Sequence, residues 1–129
     1  MSITVSATSA GFLGLLLIVL AWQVVRARQA SGVALGDGGN DLLQRRMRGQ
    51  SNLIEYGPMG LILIFLAEAQ NAPFWLLFVL ACAFVAARVG HGVAFAFTDG
   101  VPFLRFWGTA VTFVTLVSLS LLNISLAIL

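Results

Sequence analysis

Polar and charged side chains recur at helical spacing in one part of this otherwise apolar chain. Arg45, Arg48, Asn52 and Glu55 follow one another at intervals of three, four and three residues, with Tyr56 next in the chain. Residues three and four apart share one face of a helix, so these side chains form a single polar stripe. Such a stripe cannot face lipid, because ionisable groups inside a membrane require partners.

A second polar pair lies later in the chain. Arg88 and His91 are three residues apart, and Phe95 continues the same face one turn further on. Both polar groups lie at similar distances along the chain from a tight turn at residues 70–73. At about 1.5 Å per residue they lie roughly 22–28 Å from that turn, at matching depths. We therefore expect one polar cavity, which Arg105 enters from the same side.

Charge balance leaves two interpretations of this cavity. A lone Glu55 or Arg88 near the bilayer centre costs about 3 kcal/mol on insertion scales, so we expect these two residues to pair. In the first interpretation, this pair has no role other than to hold the helices together. Three further arginines, however, have no acidic partner within the helices except Glu68, at the far end of its helix; they are Arg45, Arg48 and Arg105. We expect an anionic ligand to be their partner.

Other reactive residue types are expected to be structural. His91 has no Cys, Asp or second His at metal-binding spacing, so we expect a hydrogen-bonding helix residue. Cys82 lies in an apolar run and is expected to be a buried, inert thiol. Glu68 is expected to be an interfacial charge, and an interfacial position is also expected for the three tryptophans, Trp22, Trp75 and Trp107.

The chain that positions these groups has the composition of a membrane protein. Of its 129 residues, 60% are hydrophobic and 9% are charged, whereas ordinary soluble domains carry roughly 25% charged residues. A soluble globular domain is therefore excluded. The basic residues are all arginines and the net charge is only +2, which is too little for nucleic-acid binding.

Four stretches are long enough to cross a bilayer, which takes roughly 20 apolar residues. They cover about 4–26, 49–69, 73–97 and 105–128, which is nearly the whole chain. We therefore predict an all-α integral membrane protein, in which residues 1–129 form one domain with four transmembrane helices.

The first connection, residues 31–41, is rich in glycine but lacks the Gly-Lys-Ser/Thr ending of a phosphate-binding loop, so we predict a flexible turn. Asp41 with Gln44 resembles a capping box and predicts the start of the second helix. Pro58 is predicted to kink that helix. Close helix packing is predicted at spaced pairs of small residues, such as Gly11 with Gly14 and Gly57 with Gly60.

Arginines are distributed unevenly between the two sides of the predicted bundle. Five lie in or beside the first loop and Arg105 follows the third, whereas the 70–73 turn has none. The positive-inside rule therefore predicts that the first and third loops are cytoplasmic and both termini lie outside. The first span lacks a basic segment before it and is predicted to be retained rather than cleaved.

The run Arg45-x-x-Arg48-x-x-x-Asn52-x-x-Glu55-Tyr56-x-Pro58, within RRMRGQSNLIEYGP, resembles the signature of the MAPEG family, the membrane-associated proteins in eicosanoid and glutathione metabolism. The GVALGDGG loop is similar to that of bacterial members. Arg88-x-x-His91 matches the third-helix motif, and Arg105 occupies the place of the fourth-helix arginine. The resemblance covers all four spans and implies a homotrimer in the bacterial inner membrane. It also implies that glutathione binds between neighbouring protomers, towards the cytoplasmic side.

The resemblance further implies roles for single residues. Arg105 is the implied catalytic residue, because an adjacent cation favours the thiolate form of glutathione. Phe95 departs from the pattern, since relatives that use glutathione often have tyrosine there. Gln50 would act from a neighbouring protomer. The residues implied to bind or enclose glutathione are Arg26, Arg28, Arg48, Gln50, Asn52, Glu55, Tyr56, Arg88 and His91.

Three functions remain open from the sequence. The first is a glutathione-dependent membrane transferase or peroxidase that acts on lipophilic electrophiles or lipid hydroperoxides, which enter from the lipid. The second is a non-enzymatic lipid-binding or accessory protein with the same trimeric fold, which Phe95 favours. A transporter or channel is disfavoured, because the polar residues stop in the cytoplasmic half of the spans.

Overall fold

The computed structural model describes residues 3–128, and four long helices account for most of them. They are α1 (Thr4–Ser31), α2 (Asp41–Ala69), α3 (Phe74–Ala96) and α4 (Pro102–Ile128). All four are long and apolar enough to cross a membrane, and no strand occurs within the described range. A helix satisfies its own backbone hydrogen bonds, which lipid cannot do. The predicted all-α, four-helix membrane bundle is confirmed.

The first connection is closed by glycine at one end and by asparagine at the other. Gly32 is the C-cap of α1, and its φ of 69° lies in the left-handed region that glycine adopts readily. Asn40 is the N-cap of α2, because its Oδ1 accepts a hydrogen bond from the Leu43 N–H at 2.9 Å. The predicted start of α2 at Asp41 is confirmed, whereas the capping residue is Asn40, one position earlier than the capping box implied. Asp41 instead places a negative charge in the first turn, where the helix dipole favours it.

An apolar core joins the helices over most of their length. It includes the buried side chains of Leu20, Ile64, Phe84 and Leu119, one from each helix. Gly60 permits close contact, because a Cβ there would lie 2.0 Å from Cζ of Phe84. The predicted packing role of small residues holds at this position. It does not hold for Gly11 and Gly14 within the protomer, since nothing lies within 4 Å of a Cβ at either one.

Glu68 ties the end of α2 to the start of α1. Its carboxylate accepts hydrogen bonds from the backbone N–H groups of Val5 and Ser6, each at 2.8 Å, and from the Ser6 hydroxyl at 2.6 Å. The first N–H groups of a helix lack partners inside the helix, and a negative charge there is favourable. The sequence predicted only an interfacial charge, and the structure gives that charge the role of a helix cap.

The outer surface of the bundle is apolar. Trp22, Trp75 and Trp107 are exposed on it, and their position at the membrane interfaces stays a prediction. Cys82 is also exposed, beside a groove of about 600 Å³ between α1 and α3. The prediction that Cys82 is buried is therefore wrong, because periodicity within a uniformly apolar helix does not indicate which face meets protein.

Candidate functional site

A cavity of about 610 Å³ lies between α2, α3 and α4, at the end of the bundle remote from the 70–73 turn. Its polar lining comes from three helices, with Arg48 and Asn52 on α2, His91 on α3 and Arg105 on α4. The remaining wall is largely apolar and includes Phe95, Phe106, Ala110 and Phe113. The arrangement places cationic and amide groups opposite a hydrophobic surface.

A second cavity of about 570 Å³ adjoins the first. The two share Arg48, Phe95 and Arg105, and the second is also lined by Arg45 and by the polar side chains of Gln44 and Ser51. Three arginines thus face the combined space. No Asp or Glu lines either cavity among the residues that the structure describes. The combined cavity therefore has an excess of positive charge and is suited to an anionic ligand.

Phe95 supports Arg105 in this space. The guanidinium carbon Cζ of Arg105 lies 4.8 Å from the centroid of the Phe95 ring, within the range of a cation–π contact. The His91 ring lies 4.9 Å from the same phenyl ring on its own helix. Arg105 belongs to the first turns of α4, where the positive end of the helix dipole adds to its charge.

Arg88 lies behind the cavity wall, with 2% of its surface exposed. Its Nε donates to Thr112 Oγ1 at 2.9 Å, its Nη1 donates to Asn52 Oδ1, and its Nη2 donates to the Gly108 carbonyl at 3.3 Å. Every nitrogen of the guanidinium therefore has an acceptor. All three acceptors are neutral, so hydrogen bonds rather than an ion pair satisfy this charge.

The predicted pairing of Glu55 with Arg88 is wrong. Glu55 is exposed on the outer surface of α2, and Asn52 takes the position beside Arg88. Three residues of an α-helix fall roughly 60° short of a full turn, so Glu55 lies on the same stripe as Asn52 but is offset from it about the helix axis. When α2 directs Asn52 at α3, Glu55 is turned towards the surface of the protomer.

Several residues predicted to bind glutathione do not belong to the lining of the two cavities. Arg28 holds the first loop, donating to the Gly36 carbonyl at 2.8 Å and to the Val33 carbonyl at 3.3 Å. Tyr56 packs against Phe113, with ring centroids 5.6 Å apart. Of the ten predicted site residues, the cavities bring together Arg48, Asn52, His91 and Arg105, whereas the remainder lie outside the lining: Arg26, Arg28, Gln50, Glu55, Tyr56 and Arg88.

Other functional candidates were absent from the sequence-based assignment. Arg45 was expected to face an anionic ligand but was not among the residues implied to bind glutathione. It lines the second cavity, and its Nη2 lies 3.7 Å from Asp99 Oδ1 in the loop before α4. Thr112 emerges as the anchor of Arg88. Thr112 lies four residues after Gly108 and therefore on the same face of α4, but nothing in the sequence indicates that this face meets Arg88.

Comparison with known proteins agrees with this architecture. Inner membrane protein YecN of Escherichia coli strain K12 is 35% identical over 91 residues, which cover 70% of this chain and 70% of the relative. The protein of the same name from Escherichia coli O6:H1 strain CFT073 gives the same figures. The model of the MAPEG family matches residues 6–125, a range that includes most of all four helices. Since the match extends from α1 to α4 and includes every residue that lines the polar cavities, this chain belongs to the MAPEG family.

Proposed function

We propose that this protein is a glutathione-dependent membrane transferase or peroxidase that acts on lipophilic electrophiles or lipid hydroperoxides. The observation that carries the proposal is the pair of adjoining cavities, which three arginines line; among residues 3–128 no Asp or Glu belongs to either lining. Glutathione is a small anion with two carboxylates, an ammonium group and a thiol, so its negative groups match this excess of positive charge. Membership of the MAPEG family makes glutathione the first ligand to test.

The lining residues suit different parts of this ligand. Arg48 and Arg45 offer guanidinium forks for carboxylates, which arginine binds through two parallel hydrogen bonds. When bound, glutathione supplies a thiol whose deprotonated form is the nucleophile; a free cysteine thiol has a pKa of about 8.5. Arg105 would favour that form through its positive charge. Its contact with Phe95 keeps this charge at the point where the two cavities meet.

The apolar wall suits the second substrate. Phe106, Ala110 and Phe113 all come from α4 and line the same cavity as Arg105. Phe106 and Phe113 are also exposed on the surface of the protomer. A lipophilic molecule could therefore pass from the lipid along α4 and meet the nucleophile without crossing a polar surface.

We also propose a homotrimer in the bacterial inner membrane. The ammonium group of glutathione requires an acid, and Glu55 is exposed on the outer surface of α2 rather than in the cavity. Arg26 is likewise exposed on α1, and Gln50 is partly exposed. A carboxylate at this depth is costly against lipid, so a neighbouring protomer that covers Glu55 would complete the site. Native mass spectrometry of the detergent-purified protein tests this, and a monomer that binds glutathione fully would contradict it.

Calorimetric titration with reduced glutathione, together with ultraviolet absorbance of the bound thiolate, tests the function. We expect the wild type to bind and to give the thiolate signal, Arg48→Ala to lose binding, and Arg105→Ala to retain some binding with a weaker signal. S-methylglutathione cannot ionise at sulfur and serves as the control for the absorbance. Equal binding and thiolate signals in both variants and the wild type would contradict the proposal.

A non-enzymatic lipid-binding protein is the second candidate. Two observations favour it: Phe95 brings no hydroxyl group to the cavities, and the apolar groove between α1 and α3 has a volume of about 600 Å³. Turnover of a generic electrophile such as chlorodinitrobenzene with glutathione decides between the two. Turnover that Arg105→Ala reduces would rule out the non-enzymatic protein.

A further inference from the structure

The side-chain amide of Asn52 has a defined orientation. A guanidinium only donates hydrogen bonds, so the Asn52 atom that faces Arg88 Nη1 is the carbonyl oxygen Oδ1. The Nδ2 group must then point away from Arg88. Asn52 also lines the polar cavity, and no acceptor among residues 3–128 takes a hydrogen bond from Nδ2. Both Nδ2 hydrogens are therefore free to bond to a ligand.

Arg88 is held firmly enough to impose this orientation. Thr112 and Gly108 of α4 accept from Nε and Nη2, which leaves Nη1 directed at α2. The ring of Tyr56 lies 5.5 Å from Arg88 Cζ and covers the guanidinium. The side chain is buried, and rotation would leave donors without partners in an apolar interior, which is costly.

We infer that Arg88 is a positioning residue, which makes Asn52 a pure hydrogen-bond donor towards the cavity. The bound ligand must then present an acceptor oxygen, from a carboxylate or a carbonyl group, at this point. An ammonium group is excluded from the same position, because two donors cannot bond to each other. For glutathione as that ligand, the inference rests on the proposed function, and it orients the carboxylate or peptide carbonyl side of the molecule towards α2.

A double-mutant cycle tests whether Arg88 acts through Asn52. We expect Asn52→Ala and Arg88→Met each to raise the Kd for glutathione about tenfold, the effect of one lost hydrogen bond to a charged group. The double variant should bind about as well as either single variant, because both changes remove the same interaction. The thiolate signal at saturating glutathione should be unchanged, since Arg105 is intact. A further tenfold loss in the double variant would overturn the inference.

Thr115→Val is the matched control for this cycle. Thr115 is buried one turn further along the same helix as Thr112, and its hydroxyl bonds only to carbonyl groups of α4. We expect this variant to bind glutathione like the wild type. A weakening equal to that of Arg88→Met would assign the effect to general disturbance of the core and overturn the inference.

Asn52→Asp separates the two sides of the amide while leaving Arg88 in place. Its carboxylate can still accept from Arg88, so we expect Asn52→Asp to have a higher melting temperature in detergent than the wild type. When Arg88→Met is added, the carboxylate loses this partner, and we expect a melting temperature below that of the wild type. Glutathione binding should fall by at least about tenfold, because an acceptor replaces the donor that faces the cavity. Wild-type affinity in Asn52→Asp would overturn the inference. The melting temperatures need no ligand, so they still test the Arg88 contact if the wild type fails to bind glutathione and the proposed function is wrong.

Discussion

Phe95 shows how one residue can replace the chemistry expected at its position. The family resemblance implies a tyrosine there, with a hydroxyl group that could reach a ligand. The phenyl ring instead lies 4.8 Å from Arg105 Cζ, and the Phe95 carbonyl accepts a hydrogen bond from Arg46. This residue therefore connects α3 to an arginine on each neighbouring helix, and the role that we propose for Arg105 depends on the position that this contact gives it.

Replacing Phe95 by leucine tests this contact. The ring is lost while the side chain stays apolar, and a cation–π contact contributes about 0.5–2 kcal/mol. We expect the thiolate fraction at saturating glutathione to fall about threefold, by ultraviolet absorbance, with the protein still folded. Phe103→Leu, on an exposed ring that packs on Trp107 outside both cavities, is the control. An unchanged thiolate fraction in Phe95→Leu would show that the ring does not hold Arg105.

Helices α3 and α4 approach each other closely where the Arg88 network lies. A Cβ at Gly108 would lie 2.8 Å from the Cβ of His91 and 3.0 Å from the carbonyl oxygen of Ala87. The Gly108 carbonyl also accepts from Arg88 and from the Thr112 hydroxyl. Close packing between these helices and the orientation of Arg88 therefore depend on the same position.

Gly108→Ala should consequently destabilise the bundle. The new methyl group meets a Cβ and a backbone atom, neither of which can rotate away, and overpacking of this kind costs about 1–3 kcal/mol. Unfolding in mixed detergent micelles, followed by circular dichroism, measures the change. Gly11→Ala is the control, because nothing lies within 4 Å of its Cβ and alanine favours a helix. Equal stability of the two variants would contradict close packing at Gly108.

The opposite end of the bundle depends on the cap that Glu68 provides for α1. Glu68→Gln keeps the size of the side chain but removes the charge that faces the first turn. We expect a loss of about 1 kcal/mol in the free energy of unfolding, typical of a lost helix cap. Thr8→Val, which alters only a hydroxyl bonded within α1, is the control. An unchanged free energy of unfolding in Glu68→Gln would show that the cap has no energetic role.

The whole molecule is polar at one end and apolar along its length. Both polar cavities lie at the end that carries the first and third loops. Arg26, Arg28, Arg45 and Arg46 lie at that end too, whereas the 70–73 turn has no basic residue. By the positive-inside rule, the end that carries more arginines faces the cytoplasm, so we propose that the site opens to the cytoplasm.

Cysteine labelling tests the orientation. In a Cys82→Ser background, Asn71→Cys places a thiol in the exposed turn between α2 and α3, and Ala34→Cys places one in the exposed first loop. We expect a membrane-impermeant maleimide to label Asn71→Cys in spheroplasts and to label Ala34→Cys only after permeabilisation. Labelling of Ala34→Cys in intact spheroplasts would reverse the proposed orientation.

The sequence by itself determined the number of helices, their approximate limits and the end of the bundle at which the polar residues gather. These follow from one-dimensional constraints, because lipid requires helical backbone and roughly 20 apolar residues for each crossing. Only the tertiary structure decided which side chains meet. The rotation of α2 and α3 about their own axes pairs Arg88 with Asn52 instead of Glu55 and leaves Cys82 exposed. That rotation depends on contacts between distant residues, such as Gly60 with Phe84 and Gly108 with His91, which spacing along a single helix does not contain.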